Sequence, residues 1–324
     1  MISYLHNLRG LAIFLVVLIH SMYMIPTSIR NDFPLIFAFH NATYLFVVIA
    51  GYFFSMLVDR YSYYSYLRSK FKNVFLPYVF VSIPAILIYV LGVKESHLWV
   101  DVQSVLSESY FNAVLFFYLT GAHLGPLWFI PMVCLFYLLF PLFRIVLMNG
   151  WGIYVLFIFS MISGYYLGRP ELNNNTFLSF NYFLSAYVFG FILERTRVHE
   201  RFSRYFGMVI FTSVLLFYEF GFSSGYSYRL DLLVRVFYCF SVFSLFFHYF
   251  NSKNKIFGFL GDKSFFIFFI HGYFVGFSRM IDIDLNIYAG SVLIFSIVIF
   301  LTMISYFLVK LVFRSKTKLL FGTD

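Results

Sequence analysis

The sequence predicts an all-α integral membrane protein, a bundle of about ten transmembrane helices. Of its 324 residues, 61% are hydrophobic and only 11% are charged, whereas a soluble domain is about 25% charged. The apolar residues fall into runs of about 20, the length that an α-helix needs to cross about 30 Å of hydrocarbon. These runs lack the alternating pattern of a transmembrane barrel. A helical bundle in lipid is therefore the predicted architecture.

Ten apolar windows are candidate spans, and one shorter apolar piece near 110–120 is expected to lie at the interface or to re-enter the membrane. No small-residue cleavage site follows the first window, so it is predicted to be a retained span rather than a secretory signal. Residues 1–324 are predicted to form a single transmembrane domain. The windows are 7–25, 35–58, 74–93, 126–148, 151–168, 177–194, 205–221, 230–250, 264–281 and 287–313.

Basic residues predict the orientation of the bundle. With the N-terminus in the cytoplasm, seventeen Lys and Arg residues fall on the inner side and five on the outer side. Cytoplasmic loops of membrane proteins carry such an excess. Both termini are therefore predicted to be cytoplasmic. Orientation also accounts for the net charge of +9, so no nucleic-acid partner is expected.

Arg9 and His20 lie on the first predicted span. Eleven helical steps bring the two side chains to within about 20° of one direction, about 16 Å apart along the axis. A charged group inside a span raises the free energy of membrane insertion by about 2.5–3.5 kcal/mol, so each such residue calls for a structural or functional explanation. Imidazole suits acid–base chemistry on a hydroxyl. Alternatively, Arg9 reaches the headgroups and His20 completes a packed interface. His40 and Asn41 could face the same cavity as His20.

Four cations, Arg60, Arg68, Lys70 and Lys72, lie in a predicted inner loop before the sequence FLPY. Such a cluster can hold phosphates, for example those of a nucleotide-type donor. It could equally face anionic lipid. From the residues alone, the lipid interpretation is favoured.

Trp128, in the sequence GPLWFIP, and His271 are further candidates. Trp128 could pack on a ligand ring, although tryptophan more often lies in an interfacial belt. His271 falls about 10 Å into its span, where an unpaired polar group is expensive. It is expected to face the interior, either as a packed residue or as a site residue. Asp231 and Arg235 are four residues apart and are expected to pair on one helix face.

In order and spacing, the sequence resembles the membrane-bound acyltransferase 3 family, O-acetyltransferases of cell-surface glycans. The most specific element is Leu8-Arg9-Gly10-Leu11-Ala12 followed by His20. Ala50, Tyr44 and Asn73 depart from the pattern of that family, at positions near the expected donor and acceptor pockets. The other matching segments are YLFVVIAGYFF at 44–54, YLRSKFKNVFLPY at 66–78, Pro126-Leu127-Trp128-Phe129, and Gly261, Ser264, Phe265 and His271.

The resemblance implies that an acyl group, usually acetyl, passes from cytoplasmic acetyl-CoA to a hydroxyl of a cell-surface polysaccharide or a lipid-linked glycan precursor. It also implies a multi-pass protein of a bacterial cell membrane that needs no metal and has polysaccharide-assembly proteins as possible partners. His20 would be the general base or a transient acyl carrier, and Arg9 would stabilise negative charge or orient the thioester. The implied binding residues are Arg68, Lys70 and Lys72 for the phosphates of coenzyme A, Trp128 for the acceptor end, and His271 for the pore.

Two other interpretations stay open. A transporter or flippase of a glycan or lipid intermediate would line a path with Arg9, His20 and His271 and perform no covalent chemistry. The sequence lacks the inverted repeats that many such transporters show. A non-catalytic subunit of a polysaccharide-assembly complex would tolerate the loss of His20. No Walker loop, GxGxxG or HExxH motif is present, so ATP-driven pumping has no support.

Overall fold

The protein is described by a computed structural model that covers residues 2–25, 39–97, 99–223, 231–252, 254–281, 285–314 and 317–321. Over these ranges the chain is helical and contains no β-sheet. The prediction of an all-α protein is therefore confirmed for this part of the chain. We call the end of the bundle that holds the N-terminus of the first helix the inner end, and the opposite end the outer end.

The helices are numbered in chain order. Three 3₁₀ turns, Met22–Met24, Val58–Arg60 and Gly125–Trp128, and one π-helical turn, Phe71–Phe75, connect some of them. The helices are α1 Ser3–Ser21, α2 Ala42–Leu57, α3 Tyr63–Lys70, α4 Leu76–Val90, α5 Val102–Glu108, α6 Tyr110–Thr120, α7 Phe129–Leu138, α8 Phe140–Met148, α9 Gly150–Leu167, α10 Thr176–Thr196, α11 Val198–Arg201, α12 Arg204–Ser223, α13 Asp231–Tyr249, α14 Lys255–Ser278, α15 Ile287–Phe313 and α16 Thr317–Phe321.

Seven helical segments in the described ranges are long and apolar enough to cross a membrane. An eighth is the pair Tyr110–Thr120 and Gly125–Leu138, if these two arms, bent by 74°, form one broken span. The short piece expected near 110–120 is one arm of this pair. The count of about ten spans and the cytoplasmic termini stay predictions. The seven segments are Ser3–Ser21, Ala42–Arg60, Tyr63–Val90, Gly150–Leu167, Thr176–Thr196, Asp231–Tyr249 and Ile287–Phe313.

The predicted window 126–148 is not one continuous helix. It begins with the 3₁₀ turn and divides at Leu139 into α7 and α8. Pro141 follows this break directly, and proline both lacks an N–H and clashes with the carbonyl of the residue four positions earlier. Apolarity continues across the break, so hydropathy alone cannot detect it.

Glycine brings two pairs of helices into close contact. A Cβ on Gly10 of α1 would lie 2.0 Å from the carbonyl oxygen of Phe257 in α14. A Cβ on Gly51 of α2 would lie 2.0 Å from the carbonyl oxygen of Tyr187 in α10. Small residues let the backbones of membrane helices approach closely. These α1–α14 and α2–α10 glycine contacts form the frame around which the other helices pack.

Helices α9 and α15 lie at the periphery. Only 17% of the apolar window of α9 and 22% of that of α15 are buried inside the protein, against 61% for α1 and 67% for α10. Because both helices are strongly apolar on their exposed sides, we expect these sides to contact lipid.

The π-helical turn Phe71–Phe75 joins α3 to α4. It comes just before Pro77, whose ring cannot accept a regular α-helical carbonyl at Asn73. Widening the turn relieves this clash, and π-helical turns of this kind are frequent at functional sites. The turn also separates the basic residues of α3 from the apolar helix α4.

A buried polar cluster ties α1, α2 and α11 together at the inner end. The Tyr4 hydroxyl lies 3.0 Å from the Tyr52 hydroxyl and 2.9 Å from Nε2 of His199. His199 is fully buried. Burial, reinforced by the charges of Arg197 and His248, lowers the pKa of His199 to about 3. The imidazole is therefore neutral at physiological pH.

This cluster predicts that the folded protein loses stability in acid. An unfolded chain protonates its histidines near pH 6.5, whereas folded His199 resists protonation down to about pH 3. Stability is therefore greatest above about pH 6.5 and falls by about 1.4 kcal/mol for each unit towards pH 3. Thermal unfolding of the detergent-solubilised protein from pH 7.5 to 4 measures the slope. His199→Gln should make the slope shallower, and an unchanged slope would contradict the assignment.

Candidate active site

A cavity of about 380 Å³ lies between α1, α2, α3, α7 and α14. It reaches from Tyr61, near the inner end of α2, to Pro126 at the start of the 3₁₀ turn before α7. Four of the seven residues to which the family resemblance assigns a role line this one space, although they come from distant parts of the chain. These four are Arg9, His20, Lys70 and Trp128.

Arg9 and His20 face this cavity from one side of α1, with Val16 between them. Residues seven and eleven positions after Arg9 return to nearly the same direction on an α-helix, which explains the shared face. At 1.5 Å per residue the two side chains begin about 16 Å apart. Arg9 therefore lines the inner part of the cavity, and His20 lines its outer part.

The carbonyl group of Gly261 holds Arg9 in place. Arg9 Nε donates to this oxygen at 3.0 Å, and a second guanidinium N–H donates to it as well. The Ser264 hydroxyl donates to the same oxygen at 3.0 Å, and Ser264 also lines the cavity. A Cβ on Gly261 would lie 2.5 Å from the carbonyl oxygen of His6. Close packing of α1 on α14 thus orients the guanidinium.

His271 is the neighbour of His20 at the outer end. The two imidazole rings have their centroids 5.5 Å apart. Nδ1 of His271 lies 2.8 Å from the carbonyl oxygen of Ile267, so this nitrogen donates and Nε2 is left as an acceptor. Among the described residues Nε2 has no hydrogen-bond partner, although His271 is fully buried. A buried acceptor without a partner is costly. His271 does not itself border the cavity.

The structure separates Lys70 from Arg68 and Lys72. Lys70 is half-buried and lines the cavity, with its Nζ 5.2 Å from the ring centroid of Tyr66 and 5.1 Å from that of Tyr137. Arg68 and Lys72 are exposed and do not border the cavity. Helical geometry explains the difference, because residues two apart point about 200° from each other.

Trp128 is buried within the bundle rather than exposed in an interfacial belt. Its ring centroid lies 5.7 Å from that of Phe183. The guanidinium carbon of Arg169 lies 5.6 Å from the Trp128 ring centroid and 5.8 Å from that of Phe183. In the sequence, Arg169 is only one of five outer cations. Its position depends on a contact between distant segments, for which no local pattern exists.

Asp231 and Arg235 pair as predicted, with Arg235 Nε donating to the Asp231 carboxylate at 2.7 Å. Arg235 also donates to the Asn41 side chain. The Tyr182 hydroxyl donates to the same carboxylate at 3.0 Å. Neither His40 nor Asn41 lines the cavity, so Asn41 contributes to helix packing instead.

Over the residues that the structure describes, no group of three His, Cys, Asp or Glu side chains is arranged to hold a metal ion. Both Cys134 and Cys239 are free thiols. The chemical groups that line the cavity are thus a guanidinium, an ammonium group, the imidazole of His20 and aromatic rings, and the buried imidazole of His271 lies beside that of His20. This assembly suits proton transfer to an imidazole and the binding of anionic or aromatic parts of a substrate.

A protein-family profile matches the chain. The profile of the acyltransferase 3 family, described as an acyltransferase domain, matches residues 2–311. No curated protein matches the chain, and no solved structure does. Because the profile covers nearly the entire chain, and because the helices it covers enclose the cavity described above, the chain belongs to the acyltransferase 3 family and is a membrane acyltransferase.

Proposed function

We propose that the protein transfers an acyl group, most often acetyl, from acyl-CoA at the inner end to a hydroxyl of a cell-surface polysaccharide or lipid-linked glycan precursor at the outer end. The observation that supports this proposal is the single cavity that Arg9, His20, Lys70 and Trp128 line together. It offers cations near one end and the imidazole of His20 near the other. A donor and an acceptor from opposite sides of the membrane could therefore meet inside it.

The chemistry assigned to His20 is general-base catalysis. Its imidazole removes the proton from the acceptor hydroxyl as the oxygen attacks the carbonyl carbon of the thioester. The tetrahedral intermediate then collapses, the carbon–sulfur bond breaks, and the thiolate of coenzyme A takes the proton from the imidazolium. The products are an ester and free coenzyme A. His271 packs beside His20 and helps to position its ring.

Arg9 lies too far from His20 along α1, about 16 Å, for both to touch the same reacting atoms. Of its two possible roles, orienting the donor is therefore the one that the geometry supports. Fixed by the Gly261 carbonyl, its guanidinium can bind a polar group of the donor arm while the thioester extends towards His20. A guanidinium that is already oriented loses less entropy when it binds.

Lys70 is proposed to bind a phosphate of coenzyme A at the inner end of the cavity, with exposed Arg68 and Lys72 beside it at the surface. Lys70→Met should raise KM for acetyl-CoA about tenfold, because one charge-assisted contact contributes about 1.4 kcal/mol. Steady-state kinetics on purified protein measures this change. Arg68→Gln and Lys72→Gln serve as matched single-charge controls and should change KM by less. A larger effect of either control on KM would indicate that the phosphates of coenzyme A bind at the surface rather than at Lys70.

The direct test of the proposed function measures O-acyl groups on purified surface polysaccharide. Cells that express the protein are compared with cells that carry an empty vector, and mass spectrometry identifies the ester. A new ester in the expressing cells supports the proposal, and its mass names the acyl group. A change in polysaccharide amount without any ester would favour the transporter interpretation instead.

A further inference from the structure

Arg169 follows α9 directly, and its guanidinium lies beside Trp128, a residue that borders the cavity. Gly168 ends that helix with φ +68°, a conformation that glycine adopts readily and other residues rarely do. The chain then turns so that the exposed Arg169 side chain lies over Trp128 and Phe183. Trp128 borders the cavity that contains His20. The same indole ring therefore lies beside both the reaction space and a guanidinium.

The loop that carries Arg169 is held by its neighbours. Arg169 donates to the Asn173 side chain at 3.3 Å. The Asn174 side chain donates to the Trp99 carbonyl at 2.9 Å, and the Thr176 hydroxyl donates to the Leu119 carbonyl at 2.8 Å. Because these bonds anchor the loop to two other segments of the outer end, the guanidinium is positioned before any ligand binds.

The charge of Arg169 is available for a ligand. In the described part of the chain no carboxylate lies within ion-pair distance of it. Asp231, which acts on Arg169 electrostatically, is itself bound by Arg235 at 2.7 Å and by Tyr182 at 3.0 Å. Packing over aromatic rings occupies the face of a guanidinium and leaves the N–H groups in its plane free to donate.

We infer that the acceptor sugar carries an oxyanion, a carboxylate or a phosphate, that the guanidinium of Arg169 binds beside Trp128 while the accepting hydroxyl lies at His20. This inference rests on the proposed function and adds the chemical class of the acceptor to it. A guanidinium fork binds carboxylate and phosphate in two parallel hydrogen bonds.

Binding to Trp128 gives a test that does not depend on turnover. Purified full-length protein in neutral detergent, which excludes lipid phosphate, is titrated with methyl glucoside, methyl glucuronide and methyl glucoside 6-phosphate while tryptophan fluorescence is recorded. Trp128→Phe assigns the signal, because Trp99 and Trp151 also fluoresce. Lys94→Gln removes another exposed outer cation and is the matched charge control.

At least one acidic sugar should bind with a Kd at least tenfold below that of the glucoside, and comparison of the two acidic sugars tells carboxylate from phosphate. Arg169→Gln should raise that Kd about ten- to a hundredfold, Arg169→Lys should raise it less, and Lys94→Gln should leave it unchanged. Equal binding of neutral and acidic sugars, or no saturable signal from any of them, would overturn the inference. Transfer of labelled acetyl by wild-type protein tests the proposed function separately, because that activity can persist if the acidic-sugar inference fails.

Discussion

Replacing His20 with alanine is expected to lower kcat for acyl transfer about a hundredfold to ten-thousandfold, the range that general-base catalysis contributes. His20 is the imidazole that borders the cavity, and His271 is fixed by its bond to the Ile267 carbonyl. No other described histidine lines the cavity and could take the proton directly. Release of free coenzyme A and formation of labelled ester, followed with purified protein, measure the loss.

A matched histidine variant makes this result specific. His248 is exposed near the end of α13, and its Nε2 lies 2.8 Å from the Phe202 carbonyl oxygen. His248→Ala should therefore retain wild-type kcat at equal protein level in the membrane. If His20→Ala also retains its rate, His20 is not the base, and the non-catalytic interpretation of this residue is correct.

Gly10→Ala is expected to cost about 1–3 kcal/mol of stability or more, because the new methyl group would overlap with backbone. The added Cβ lies 2.0 Å from the Phe257 carbonyl oxygen, and a helix backbone cannot rotate away as a side chain can. Helices α1 and α14 must separate, which also pulls Arg9 from the Gly261 carbonyl. We expect a lower Tm in detergent together with a raised KM for acyl-CoA.

Gly276→Ala is the control for this prediction. Gly276 lies in α14 as well, but a Cβ there would have no atom within 4 Å. Because alanine has a higher helix propensity than glycine by about 1 kcal/mol, Gly276→Ala should leave Tm unchanged or raise it. Equal losses of Tm in Gly10→Ala and Gly276→Ala would show that the close approach of α1 to α14 is not what the protein depends on.

Much of the fold is predictable from the sequence, because lipid forces every span to be helical and apolar. The α1 and α15 helices, for instance, fall where the hydropathy windows place them. Breaks are harder to predict, as the division at Leu139 shows, because the residues on both sides remain apolar. The full length of α14 is hard to predict for the opposite reason. The helix is continuous over 24 residues, but Asp262, Lys263 and His271 lower its mean hydropathy.

The candidate site is predictable where its residues share one helix. Arg9 and His20 follow from the period of α1 alone. The difference between Lys70 and Arg68 also follows from helical period, once the direction of the cavity is known. Arg169 could not be found in this way, because its position depends on a contact with Trp128, which lies far away along the chain.

The α1–α14 and α2–α10 glycine contacts have a consequence for how the protein selects its acyl group. Backbone already meets backbone at both crossings, so neither pair of helices can move closer, and moving apart would sacrifice their packing. The width of the cavity between these helices is therefore fixed. The side chains that line the cavity, among them Ala50, then decide whether a two-carbon or a longer acyl group fits. Exchanging a few wall residues could therefore retune chain-length selectivity without rebuilding the fold.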